Sequence, residues 1–161
     1  MSSFSPRSVS YTAYIATTPA EAWRAITDPD RMALYFGGRR IQSGFEQGDE
    51  MRVFMRGGVL DVLGEVIAVE TERLLSLTWH VEWHEEMRKL PPSLLTFRIE
   101  PSGEMVKFTV EHGEYQEPLP DASLEDSRNG WPMIVSSLKT LLETGRPLPI
   151  QFAVIAVALS S

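Results

Sequence analysis

The chain has 161 residues, enough for one domain that buries about 70% of its unfolded surface. Its 15 Lys and Arg face 22 Asp and Glu, a net charge of −7, which argues against nucleic-acid binding because that affinity depends on neutralising phosphates. The chain contains no cysteine, which excludes disulfides, thiolate metal sites and a cysteine nucleophile and fits a reducing, cytoplasmic compartment.

The first predicted elements are one strand and two short helices. Alternation of apolar and polar residues predicts a strand over 9–15. Thr18 and Asp28 are each followed by proline, and both are helix start signals because such residues cap a helix while proline suits its first position. The pair Gly37-Gly38 is expected to end the second helix.

Strand patterns then follow one another from Ile41 to His112. Turn signals such as Gly57-Gly58 separate them. Runs of strands joined by tight turns imply an antiparallel sheet. One strand carries Asp61 and Glu65 at the same parity, and this parity predicts that both carboxylates face outward.

A long amphipathic helix is predicted next. Apolar residues recur at helical spacing from Trp131 to Leu142, and Gly145 is a suitable residue after the helix end. Pro132 fits near the first turn or at a kink. We therefore predict an α+β fold, in which a curved antiparallel sheet of six to seven strands wraps around this C-terminal helix.

Seven segments are informative when they are taken in order: 14–23, 25–29, 64–66, 75–79, 108–112, 130–134 and 137–143. Together they resemble the START-like superfamily, also called SRPBCC, Bet v 1-like or helix-grip. Within it, the chain is similar to the branch related to the C-terminal domain of the activator of heat shock protein 90 ATPase. We expect one domain over 1–149, with the resemblance covering roughly 9–145, and an apolar tail over 150–161 that departs from the family pattern.

Members of this superfamily enclose a cavity between the sheet and the C-terminal helix, and they bind apolar molecules there. The resemblance therefore implies a ligand cavity lined by inward strand faces and by the helix. The same side chains could instead fill a core. The predicted lining residues are Met51, Val53, Met55, Val66, Leu77, Trp79, Val81, Leu95, Phe97, Phe108, Val110, His112, Trp131, Val135 and Leu138.

His112 is the most informative polar candidate, because its parity places it on the face of Phe108 and Val110. A neutral imidazole there could orient a ligand or transfer a proton, and the alternative is a hydrogen-bonded histidine at the rim. His80 and His84 share the parity of Glu82, but such an outward stripe is usually solvated. No metal site and no cofactor are therefore expected.

The segment 79–88 is rich in aromatic, histidine and acidic residues and precedes Pro91-Pro92. It is interpreted as a strand end followed by a loop over the cavity entrance, and the alternative is a solvated loop. Trp83 would lie near the cavity mouth if the strand continued that far. No nucleophile elbow, phosphate-binding loop or dinucleotide fingerprint occurs in the chain.

The main functional hypothesis is binding of a small hydrophobic ligand, with no catalysis assigned. The first alternative is a protein-interaction module resembling the chaperone activator, with a role in stress response. The second is a cyclase or hydrolase that uses His112 with Glu111, Tyr115 or Arg52.

The two ends of the chain give further expectations. Residues 1–8 lack an apolar stretch, so no signal peptide is expected. The tail from Ile150 to Leu159 is too short to span a bilayer as a helix. It could pack on the domain as a terminal strand or helix, cover an apolar surface in a partner subunit, or be disordered or associated with a membrane. Together with open sheet edges, it makes homodimerisation an option.

Overall fold

The structure is a computed structural model, and it describes residues 4–150. Within these residues no helix is both long and apolar enough to cross a membrane. The predicted tail lies outside the described residues apart from Ile150. In chain order the elements are β1 (Ser8–Ile15), α1 (Pro19–Thr27), α2 (Pro29–Tyr35), β2 (Arg40–Ser43), β3 (Glu50–Phe54), β4 (Leu60–Glu70), β5 (Leu74–Val81), α3 (Glu85–Arg88), β6 (Ser93–Ser102), β7 (Met105–Glu114) and α4 (Asp121–Thr144).

The two predicted helix starts are confirmed. The Thr18 hydroxyl accepts the backbone N–H of Glu21 at 3.2 Å at the start of α1. The Asp28 carboxylate accepts the N–H groups of Asp30 and Arg31 at the start of α2. These bonds satisfy N–H groups that a helix leaves unpaired at its first turn.

The seven strands form one antiparallel sheet in the order β1-β7-β6-β5-β4-β3-β2. Consecutive strands from β2 to β7 are neighbours, as tight turns require, while β1 pairs with β7 at the opposite edge. The curved sheet holds α4 against one face, and α1 and α2 follow the first strand. The predicted α+β helix-grip fold is therefore confirmed.

The core lies between the sheet and the three longer helices. Phe108 and Leu95 from the sheet, Ile26 from α1 and Leu138 from α4 are almost completely buried there. Because strand side chains alternate between faces, one apolar face supplies most of this core.

Helix α4 is longer than the sequence predicts. It begins at Asp121, well before the apolar spacing that starts at Trp131. The expectation that Pro132 lies near the first turn is wrong, because Pro132 is in the helix interior. Proline has no N–H, so it cannot donate the helical bond to the carbonyl of Arg128.

An ionic cluster joins three distant segments beside the start of α4. The Arg7 guanidinium contacts Glu114 at 2.8 Å and Asp121 at 2.6 Å, and it donates to the carbonyl of Leu119 at 2.7 Å. The Glu114 side chain is only 1% exposed, and this pairing holds the pKa of its carboxyl down at about 2. The cluster connects the chain start, the end of β7 and the segment that leads into α4.

Strand β4 departs from regular alternation at Asp61. Val53 pairs with Val62 while Phe54 pairs with Leu60, so Asp61 is the extra residue of a β-bulge. Asp61 and Val62 are consequently both buried, at 4% and 1% exposure. The prediction that Asp61 faces outward is wrong, whereas Glu65 is exposed as expected.

Candidate ligand-binding cavity

A cavity of about 150 Å³ lies between one end of the sheet and the N-terminal half of α4. Its wall is mainly apolar, with a small number of polar groups. The aromatic and methionine side chains are Phe36, Trp79, Trp83, Met87 and Trp131. The larger aliphatic ones are Val62, Val81, Leu90, Leu119, Leu124 and Ile134. The polar ones are Arg39, Asp61, His80, Ser93, His112, Ser123, Asp126 and Ser127.

The structure divides the predicted lining residues into three groups. Trp79, Val81, His112 and Trp131 lie on the cavity wall. Met55 lies in a separate groove beside α2 and the β3–β4 turn. The others are packed in the core, because the middle of the sheet is covered by helices and only one end borders the cavity. They are Met51, Val53, Val66, Leu77, Leu95, Phe97, Phe108, Val110, Val135 and Leu138.

His112 is held by a chain of hydrogen bonds that fixes its tautomer. The Trp131 indole N–H donates to His112 Nδ1 at 3.0 Å. Since an indole can only donate, Nδ1 carries a lone pair and the ring proton is on Nε2. That N–H donates to Ser93 Oγ at 2.7 Å, and the Ser93 hydroxyl donates to the carbonyl of Trp79 at 3.0 Å.

Burial keeps this imidazole neutral. Removal from water lowers the pKa of His112 to about 4. A neutral ring agrees with its role as acceptor of the Trp131 N–H. The Ser127 hydroxyl, 3.1 Å from Nδ1, shares the same lone pair. Both ring nitrogens are therefore engaged by protein groups, and the half-buried ring contributes mainly its surface to the cavity.

Edge-to-face contacts fix the Trp131 indole from several sides. Its centroid lies 5.8 Å from Phe36, 5.9 Å from Phe97 and 6.0 Å from His112, at interplanar angles between 77° and 86°. Trp79 makes a similar contact with His112 at 6.2 Å. Such geometry is favourable for aromatic pairs, so this wall is preorganised.

The opposite wall carries a buried ion pair. Arg39 Nε lies 2.5 Å from Asp61 Oδ2, and the two side chains are 13% and 6% exposed. The Trp83 side chain also lies beside the Asp61 carboxylate. Burial raises the pKa of Asp61, while Arg39 and Trp83 act in the opposite direction. This pair reaches the cavity because of the bulge at Asp61.

Helix α4 adds a carboxylate to the wall. Asp126 is half-buried and lines the cavity next to Ser127. Its pKa is raised by burial and, secondarily, by Glu125. Within residues 4–150, Asp126 has no salt bridge to Lys, Arg or His, so its charge is not matched there.

The segment after β5 lines one side of the cavity. Strand β5 ends at Val81, and the short helix α3, which the sequence did not predict, places Met87 on the wall. The His84 Nδ1 atom accepts the N–H of Met87 at 3.3 Å and so caps α3. His80 Nε2 donates to the carbonyls of Arg88 and Leu90, each at 3.0 Å. The histidines therefore hold this segment in place.

Sequence reasoning missed most of the α4 contribution. Ser123, Ser127, Gly130 and Ile134 all line the cavity. Their separations of four, three and four residues place them on one helix face. This spacing indicates a shared helix face, but a stripe of serine and glycine does not resemble the apolar stripe of a helix that packs on a core. For Asp61 no sequence signal was available, because alternation does not reveal a bulge.

Comparisons with known proteins place this geometry in a family. The sequence profile of the Activator of Hsp90 ATPase homolog 1-like protein family matches residues 16–143. Among curated proteins, no match was found. The resemblance expected from the sequence is therefore supported by a profile that spans most of the chain.

Solved structures show the same fold. A Mesorhizobium loti protein is 25% identical with a TM-score of 0.69, over 84% of this chain and 96% of that one. A protein of the dynemicin biosynthetic locus is 25% identical with a TM-score of 0.70, over 87% of this chain and 48% of that one. The Aha1 dimer from Colwellia psychrerythraea, 16% identical over 86% and 98% of the chains, has a TM-score of 0.66 and shows the fold alone. By its profile match and its helix-grip architecture, the chain belongs to the Activator of Hsp90 ATPase homolog 1-like family.

Proposed function

We propose that the protein binds a small, mainly apolar molecule in the cavity between the sheet and α4. The supporting observation is a cavity of about 150 Å³ whose wall is mainly aromatic and aliphatic, with a minority of polar side chains, the usual composition of a small-molecule site. A cavity of about this volume in another protein holds one benzene molecule. We therefore expect a ligand built around a single ring.

Unfilled space beside the backbone of α4 supports this proposal over a packed core. Gly130 lines the cavity, and a Cβ atom added there would meet no atom within 4 Å. A larger side chain at this position should therefore enter the cavity without a clash. A substitution at Gly130 can therefore block the cavity while the rest of α4 is unchanged.

The bonding of His112 favours binding over catalysis. A general base needs a lone pair within reach of the substrate proton and a pKa near the working pH. The Nδ1 lone pair is already shared by Trp131 and Ser127, and the pKa is lowered to about 4. We therefore assign His112 to orientation of the cavity wall and not to proton transfer.

Titration with toluene tests the proposal. Three of the four tryptophans line the cavity, so intrinsic fluorescence and the thermal midpoint should both respond to an occupant. A ligand at about 100 times its Kd adds about 2.7 kcal/mol of stability. The variant Gly130→Leu should not respond, whereas the matched control Asn129→Leu, exposed on the same helix, should respond like the wild type.

Two outcomes would contradict the proposal. The first is a wild-type protein that shows neither a fluorescence change nor a thermal shift with toluene. The second is a response of equal size in Gly130→Leu, because binding would then occur outside the cavity. Circular dichroism of the two leucine variants checks that both remain folded.

Family membership favours a second candidate, a contact with an Hsp90-type chaperone. The experiment is the ATPase turnover of the chaperone with and without this protein. A docking role predicts a higher turnover that is equal for the wild type and for Gly130→Leu, since that variant changes only the cavity. Unchanged turnover would remove this candidate.

Homodimerisation is a further proposal, supported by the dimeric Colwellia relative and by the two sheet edges, β1 and β2. An exposed edge strand offers unpaired N–H and C=O groups to a second chain. Sedimentation velocity should then show a concentration-dependent dimer, and a single monomeric species at all concentrations would contradict it.

A further inference from the structure

We propose that the cavity selects a single-ring aromatic molecule that carries a hydrogen-bond donor, such as a hydroxyl or an ammonium group, over an anion of the same size. This inference rests on the proposed binding function and names the ligand class. It follows from the polar groups around His112, where the protein already uses the donors while acceptors remain available on α4.

The donors on the His112 side are all occupied. The Trp131 N–H bonds to His112 Nδ1, and the His112 N–H bonds to Ser93 Oγ. The Ser93 hydroxyl in turn donates to the carbonyl of Trp79. A ligand acceptor placed at this wall would therefore break a protein hydrogen bond in order to be satisfied.

Acceptors remain on the neighbouring face of α4. The Ser127 hydroxyl donates to His112 Nδ1, which leaves its oxygen lone pairs for a ligand donor. Next to it, the Asp126 carboxylate can only accept while it is ionised, and it lines the cavity half-buried. These two groups line the cavity from adjacent positions of α4, so either can accept a hydrogen bond from a donor group on a ligand.

The charges on the cavity wall also favour a ligand that donates hydrogen bonds over an anion. Arg39 and Asp61 form an ion pair, so their charges largely cancel. Among the acids and the arginine that line the cavity, the Asp126 carboxylate is then left without a partner of opposite charge. A carboxylate ligand would be desolvated beside a like charge, which is unfavourable. An ammonium group would instead be attracted by Asp126.

Four one-ring probes test the inference on the full chain: toluene, phenol, benzylamine and benzoate. Phenol and benzylamine should each bind more tightly than toluene, and benzylamine should bind about tenfold or more tighter than benzoate. Asp126→Asn should reduce the benzylamine-to-benzoate ratio by about tenfold while leaving toluene affinity unchanged. The control Glu117→Gln removes an exposed charge that does not line the cavity and should leave the ratio close to that of the wild type.

The outcomes separate this inference from the proposed function. If toluene binds but benzoate binds as tightly as benzylamine, the ligand class is wrong while the binding function stands. An unchanged ratio in Asp126→Asn would overturn the assignment of the acceptor. If none of the four probes binds, the inference and the proposed function fail together.

Discussion

Removal of Arg39 from the buried ion pair gives the sharpest test of how the cavity wall is held together. In Arg39→Met, the Asp61 carboxylate, whose side chain is 6% exposed, loses the cation that faces it. Breaking a buried pair by removing one partner costs about 3–5 kcal/mol. The interaction with Trp83 remains and offsets part of the loss, so we expect a loss of about 3 kcal/mol in the free energy of unfolding. Urea denaturation at neutral pH measures this as a lower midpoint.

The double variant Arg39→Met/Asp61→Leu is the control for this reasoning. Replacement of a buried pair by apolar residues is often neutral or stabilising, because no uncompensated charge remains. The double variant should therefore be far more stable than the sum of the two single changes predicts. Additive losses across the double-mutant cycle would refute the claim that the pair is coupled and buried.

The pH dependence of Arg39→Met supplies a second check. Burial raises the pKa of Asp61 above its unfolded value, so the folded state favours the protonated carboxyl. Without Arg39 that pKa rises further, and the stability lost at neutral pH is regained as the pH falls through it. The deficit relative to wild type should shrink at mildly acidic pH, and a deficit that does not depend on pH would contradict this account.

Three further predictions concern single positions. Gly130→Ala should stabilise the protein by about 0.5–1 kcal/mol in thermal denaturation, because alanine is the better helix residue and its Cβ meets open space. Gly64→Ala should destabilise by at least about 1–3 kcal/mol in urea, because its Cβ would lie 1.9 Å from the Thr78 carbonyl oxygen. In an NMR titration His112 should stay neutral down to a pKa of about 4. Since the unfolded value is about 6.5, its contribution to stability should be lost as the pH falls from there through about 4.

Each of these three has a clear contrary result. A destabilised Gly130→Ala variant would mean that the space beside α4 is not open. An unaffected Gly64→Ala variant would contradict the close approach of β4 and β5. A His112 signal that titrates near 6.5 would show that the ring is not desolvated.

Strand parity identified only part of the sheet side of the cavity. Trp79, Val81 and His112 were placed on inward faces by alternation, and all three reach the cavity wall. Alternation works there because the period of two is uninterrupted in the stretches that carry them. In β4 the bulge at Asp61 adds one residue, and the same rule then assigned this carboxylate to the wrong face.

Parity could not separate cavity from core. Leu77 and Trp79 share one strand face, yet Leu77 is packed in the core and Trp79 borders open space. The difference depends on which helix covers each position, and that is set by three-dimensional packing.

The N-terminal half of α4 was missed for a related reason. A helix face that borders open space does not need large apolar side chains, and Ser123, Ser127 and Gly130 occupy it. The apolar stripe that signals a helix therefore begins only at Trp131. The start of α4 is predicted too late because this helix face lacks large apolar residues, and not because the segment is a poor helix former.

The most direct test of ligand binding uses the four indole N–H signals of the protein in a two-dimensional NMR spectrum. Trp79, Trp83 and Trp131 line the cavity, whereas Trp23 packs on the core elsewhere and serves as an internal control. On titration with toluene, the three cavity signals should shift together along one saturable curve while the Trp23 signal stays in place. Cavity signals that do not move, or that move no more than the Trp23 signal, would contradict the account.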